Sequence, residues 1–152
     1  EYKIDPEIFL ENVHKIDISK LNPNKRLNLL LKKTPGKKIV YTNASYKHAE
    51  NILSKLGLSE NFSSIFSIEN AKFIPKPNIK SYKTLINNEK LNPKSCIMLE
   101  DTPWNLVTAF KLGIKTVLVE TRIEKLDKVN KYIQYKTTNV EAFLKLYLDK
   151  KL

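Results

Sequence analysis

The chain has a single cysteine, Cys96, which excludes an internal disulfide and fits a reducing cytosol. The expected location is therefore cytoplasmic. No run of 18 apolar residues occurs, so nothing in the sequence reads as a membrane-spanning helix. Arginine is found only at positions 26 and 122, and no Arg-rich helix exists. There is no internal repeat and no low-complexity segment. The first residues, Glu1 to Asp5, resemble no signal peptide. They also lack an initiator Met, so the expectation is a chain that begins part-way through a longer protein.

What is present is ordinary globular material. The 152 residues amount to one domain with room for a core, and an apolar content of 41% does not indicate disorder. The net charge is +11, a balance that can attract nucleic acid or anionic substrates. Its lysines, however, are spread from Lys3 to Lys151, with only short doublets such as Lys32-Lys33 and Lys37-Lys38. Solvated surface is the expected explanation, and nucleic-acid binding is the minority reading. Cys96 itself reads as a small core residue rather than a nucleophile.

Read in order, the chain alternates between two periodicities. Asp5-Pro6 opens a helix that extends to about His14, and His14-Lys15-Ile16-Asp17-Ile18 leaves it. Leu27, Leu30 and Leu31 share a face of a helix from about Asn24 to Lys33, which Thr34-Pro35-Gly36 ends. Lys38 to Thr42 is a strand. A helix with Ala49, Ile52, Leu53 and Leu56 inward follows and closes at Gly57. Ile65 to Ile68 is a second strand. Asn78 begins a helix carrying Tyr82, Leu85 and Ile86. Cys96 to Leu99 is a buried strand, and Thr102 and Pro103 start a helix that stops at Gly113. Lys115 to Val119 is a further strand, Tyr132 to Tyr135 a short edge strand, and Val140, Phe143, Leu144 and Tyr147 mark a terminal amphipathic helix. Strands alternating with helices from 38 to 119 argue for a parallel, doubly wound sheet with right-handed crossovers. The region before about residue 22 does not fit this alternation and looks like part of an insert.

Three strand ends carry residues suited to chemistry, and each also has a plain structural reading. Thr42-Asn43 forms either a turn and helix cap or a phosphate cradle, with the Thr42 hydroxyl and the N–H groups of Asn43 and Ala44 near a helix N-terminus. Lys76 is either one more surface lysine or a point charge for phosphate on a stiff Pro75-Lys76-Pro77 segment. Glu100-Asp101 is either a solvated turn or a pair of acids at the carboxyl end of a strand. Open α/β sheets place their ligands there, and such acids can hold a hard cation such as Mg²⁺. Together they suggest a cradle, a cation and a metal site at one edge of one sheet.

These residues resemble the haloacid dehalogenase-like (HAD) phosphohydrolase superfamily over about residues 14–120. Ile39-Val40-Tyr41-Thr42-Asn43-Ala44 is similar to its second motif, Pro75-Lys76-Pro77 to its third, and Leu99-Glu100-Asp101 followed by Asn105 to its fourth. Tyr41 to Ala44 and His14 to Asp17 look like the bacterial pyrimidine 5′-nucleotidase branch. The resemblance implies a Rossmann-like core, residues 22–152, with helices on both faces of a parallel sheet, preceded at 1–21 by the remnant of a helical cap and its junction. It implies Mg²⁺-dependent hydrolysis of a phosphomonoester, a pyrimidine nucleoside 5′-monophosphate, through an aspartyl-phosphate. Thr42 and Lys76 would act on the phosphate, helped by Asn43 and Ala44. Asp101 and Glu100 would hold the metal, and Asn105 would order the loop. His14 and Asp17 would lie near cap and substrate; their plain reading is a helix end with a capping acid.

The chain departs from the family at one decisive place. The first motif, Asp-x-Asp-x-Thr, which carries the nucleophile and the general acid/base, occurs nowhere in it. In the family's strand order that motif ends the central strand, between the strands ending at Thr42 and Glu100. The expectation is a core without its middle strand, inactive alone. The alternative is a non-catalytic phosphate-binding or regulatory domain. A small phosphorylated substrate is expected as partner, with no membrane.

Overall fold

The computed structural model describes residues 17–120 and 128–150. The helix expected up to His14, and His14 itself, lie outside them. The described residues form an α/β fold of parallel strands and helices, divided into two compact units with the division between Pro75 and Lys76.

In the first unit, helix α1 (Lys25–Lys33) starts where the Asn24 side chain accepts the Leu27 N–H. It ends at Thr34, whose hydroxyl donates to the Leu30 carbonyl at 2.8 Å, just before a proline that cannot continue it. Strand β1 (Ile39–Tyr41) leads to helix α2 (Tyr46–Leu56), which is capped by Ser45. Gly57 ends α2 with φ +66, a left-handed conformation that glycine adopts without a Cβ penalty. Strand β2 (Ser64–Phe66) pairs parallel with β1, Val40 opposite Ile65. It stops two residues short of the expected Ile68 because the Ser67 N–H and hydroxyl both donate to the Asn70 side chain at 2.9 Å, folding the chain into a turn. Leu31, Ala49, Leu53, Phe66 and Ile68 form the core of this unit, with Tyr41 edge-on to Phe66.

The second unit holds a three-stranded parallel sheet in the order β3-β4-β5, formed by Ile97–Glu100, Lys115–Val119 and Tyr135–Thr137. Helices α3 (Ile79–Asn88), α4 (Pro103–Lys111) and α5 (Val140–Leu148) complete it. Tyr82, Leu106 and Val117 are fully buried. The last strand lies slightly later than expected. Thr116 explains the shift: its hydroxyl donates to the Tyr132 carbonyl at 2.7 Å and accepts the Gln134 N–H at 3.2 Å, so the ladder proper begins at Tyr135.

The five described strands thus make two sheets, β1-β2 and β3-β4-β5, where the periodicity alone suggests one. The strand that the family resemblance puts between them is supplied by no described residue.

Candidate active site

Lys76, Glu100, Asp101 and Asn105 belong to the second unit, and Thr42, Asn43 and Ala44 to the first. In the second unit, β3 delivers its acids by simple alternation. Glu100, the last residue of the strand, turns inward and is buried, while Asp101 is exposed in the bend that follows.

The Lys76 ammonium donates to Glu100 Oε2 at 2.7 Å, and both side chains are less than a tenth exposed. Such a pair survives burial only because each charge compensates the other. Lys76 is therefore not a surface lysine. The other Glu100 oxygen, Oε1, accepts the Thr102 N–H at 3.1 Å. Both oxygens of Glu100 are thus engaged, and the carboxylate open to a cation is that of Asp101, whose described contact is the Thr102 hydroxyl at 3.5 Å.

Thr102 is the N-cap residue of α4, as expected, although its side chain makes no capping hydrogen bond. The Glu100 carboxylate, by accepting the Thr102 N–H, ties that cap to the end of β3. Asn105 is buried in the first turn of α4, and its backbone carbonyl accepts the Tyr82 hydroxyl at 2.7 Å. That contact pins the start of α4 to α3 through the main chain.

In the first unit Thr42 is half-buried at the end of β1, its N–H donating to the Phe66 carbonyl at 3.0 Å. Its hydroxyl accepts the Ala44 N–H at 3.0 Å, so that N–H closes a tight turn, and Asn43 is exposed at its tip. The N-terminus of α2 already holds an anion: both Glu69 oxygens lie 3.1 Å from the Tyr46 N–H. Helix N-termini favour such negative groups. Glu69 has no local sequence signal, because it reaches Tyr46 across 23 residues.

Asp17 sits in an exposed turn in which Oδ1 accepts the Ser19 N–H at 2.9 Å. The Ser19 side chain and backbone N–H hold its carboxyl below the usual carboxylate range. Cys96 is half-buried just ahead of β3, its thiol donating to the Asn92 carbonyl, and burial pushes that thiol up.

Hard carboxylate oxygens at the end of a strand suit Mg²⁺, which takes one or two of them and keeps several waters. Among the described residues no group of three or more His, Cys, Asp or Glu side chains is placed to share a cation. Asp101 therefore fits as one ligand of an ion whose remaining ligands come from water, substrate or other residues.

The described residues form a parallel α/β fold with a buried lysine–acid pair at a strand's carboxyl end, and sequence comparison gives the family. The profile of the haloacid dehalogenase-like hydrolases matches residues 5–119. The chain belongs to that family. The Bacillus subtilis (strain 168) protein named "Putative phosphatase YhcW" is 26% identical over 136 residues, which are 89% of this chain and 61% of that protein. The chain thus spans about three-fifths of the length of this relative. A dehalogenase solved as an intermediate complex superposes with a TM-score of 0.70 at 16% identity, covering 95% of this chain and 65% of that one. L-2-haloacid dehalogenase from Xanthobacter autotrophicus with covalently bound chloropropionic acid gives 0.68 at 14% identity, covering 95% and 67%. At these identities the two structures show a shared fold. Among the described residues no helix is long and apolar enough to cross a membrane.

Proposed function

We propose that this chain forms the phosphate- and metal-binding part of a phosphomonoesterase acting on pyrimidine nucleoside 5′-monophosphates. The observation that carries the reading is the buried Lys76–Glu100 pair beside the exposed carboxylate of Asp101. A phosphomonoester carries charge that must be offset, and a lysine held in place by an acid supplies that charge without reorganising during the reaction. The exposed Asp101 carboxylate, which suits a metal ion, favours phosphate over a 2-haloacid.

In this reading Lys76 neutralises a phosphate oxygen, and Glu100 holds its ammonium in position. The Thr42 hydroxyl, with Asn43 and Ala44, is the phosphate-contacting segment that the family resemblance assigns to the first unit. Asp101 holds Mg²⁺, and Asn105 fixes the helix start behind it. Bound there, Mg²⁺ would offset the charge of the phosphate and of the attacking group. The nucleophilic and acid/base aspartates are the family's first motif, absent from residues 1–152, so the isolated chain should be inactive. The likeness to the phosphatase-named relative supports the phosphate reading. The Tyr41 to Ala44 segment supports the nucleotide one. The alternative, a phosphate-binding domain without catalysis, keeps the same contacts and lacks turnover.

The test is phosphate release from a panel of nucleotides, and halide release from 2-haloacids, by the 152-residue chain and by a form extended at its N-terminus with an Asp-x-Asp-x-Thr strand. Activity only in the extended form, dependent on Mg²⁺ and lost in Asp101→Asn, is the expected result. Comparable phosphate release by both forms, or halide release instead, would overturn the assignment.

A further inference from the structure

The chain has one tryptophan, and it is on the surface. Trp104 is 57% exposed, whereas tryptophan is highly buried on average. Packing does not account for it, because Pro103, Asn105, Leu106 and Ala109 carry the buried face of α4.

Two observations fix what the indole stands beside. Residues one turn apart share a helix face. One turn beyond Trp104, Thr108 donates its hydroxyl to the Pro77 carbonyl at 2.7 Å. That face of α4 is therefore turned to the segment that carries Lys76. Helical side chains also lean toward the helix N-terminus, which for Trp104 is toward Asp101 and the end of β3. An exposed aromatic thus lies on the face of α4 that meets the segment carrying Lys76, one helical turn from the open carboxylate of Asp101, all within the second unit.

We propose that Trp104 is a specificity-determining residue whose indole stacks on the planar ring of a phosphorylated substrate while the phosphate is held at Lys76. This rests on the phosphomonoester reading above and adds to it a requirement for a ring. Every nucleobase has a π-face, and stacking on an aromatic side chain tolerates its identity. Trp104 therefore selects nucleotides over simple sugar phosphates without choosing among bases.

The experiment uses the 152-residue chain in Mg²⁺ buffer and measures binding of uridine 5′-monophosphate, ribose 5-phosphate and inorganic phosphate by calorimetry and by Trp104 emission. The nucleotide should bind about tenfold more tightly than ribose 5-phosphate, as one good stacking contact allows, and should alone change the emission saturably. Trp104→Ala should erase the preference, leave ribose 5-phosphate binding unchanged and keep the native circular dichroism. Trp104→Phe should retain most of the preference. Equal binding of both esters, or a preference that survives in Trp104→Ala, overturns the stacking role alone. If neither ester binds the unsubstituted chain, the phosphate site fails and the stacking role fails with it.

Discussion

Lys76 cannot be changed without consequence for Glu100. Removing one partner of a buried pair leaves an uncompensated charge, which costs about 3–5 kcal/mol, whereas replacing both is far milder. Lys76→Met should therefore lower stability by about 3 kcal/mol or more in urea unfolding, and Lys76→Met with Glu100→Gln should recover most of that loss. Equal losses in the two variants would show that the pair is not what holds this corner. Cys96 gives a second test at this scale. Only the thiolate reacts, and burial raises the thiol's pKa above its ordinary 9.0. Iodoacetamide at pH 8 should accordingly modify Cys96 several-fold more slowly than free glutathione, the gap closing on denaturation. Lys76 was legible as a special lysine from the prolines on both sides of it. Its pairing with Glu100 was not, because the two are 24 residues apart and both could equally have faced solvent. The same distance problem hid Glu69 at the head of α2.

Helix starts were readable because a cap is a local event. Asn24, Ser45 and Asn78 each accept a backbone N–H in the first turn of the helix they precede. Thr102 is the exception. It occupies the N-cap position of α4 without a side-chain bond into the helix: its hydroxyl donates to Asp101 at 3.5 Å, and its N–H goes to the buried Glu100 carboxylate. Strand ends were less legible, since side-chain contacts from elsewhere decide them, as Asn70 does for β2 and Thr116 does for β5. Thr116 is fully buried with its hydroxyl both donating and accepting. Thr116→Val keeps the shape and leaves the Tyr132 carbonyl without that partner, while the Gln134 N–H keeps its bond to the Thr116 carbonyl at 3.2 Å. Losing one such bond in a buried setting costs about 1–3 kcal/mol. A fall in stability of that order is expected by thermal unfolding, with the far-UV spectrum unchanged. A neutral result would mean that water or the Gln134 side chain replaces the hydroxyl.

At the scale of the whole chain, the alternation of strand and helix correctly indicated the α/β class and the parallel pairing. It could not indicate that the pairing falls into two sheets, because periodicity marks strands and says nothing about which neighbours they find. Each unit accordingly has its own core, one around Phe66 and one around Tyr82, Leu106 and Val117. Within the second unit β4 is paired on both sides, and Thr116, Val117 and Leu118 are at most 2% exposed. Amides so enclosed exchange with solvent only when the surrounding structure opens. In deuterium exchange read by mass spectrometry, a peptide covering Thr116 to Val119 should be the last of this unit to label, and labelling there ahead of α5 would contradict it. How long the unit stays closed is therefore set by a strand that bears none of the candidate chemistry. Asp101 and Trp104 lie outside it, on exposed positions. Substitutions at those two residues should therefore leave the lifetime of the closed state as it was.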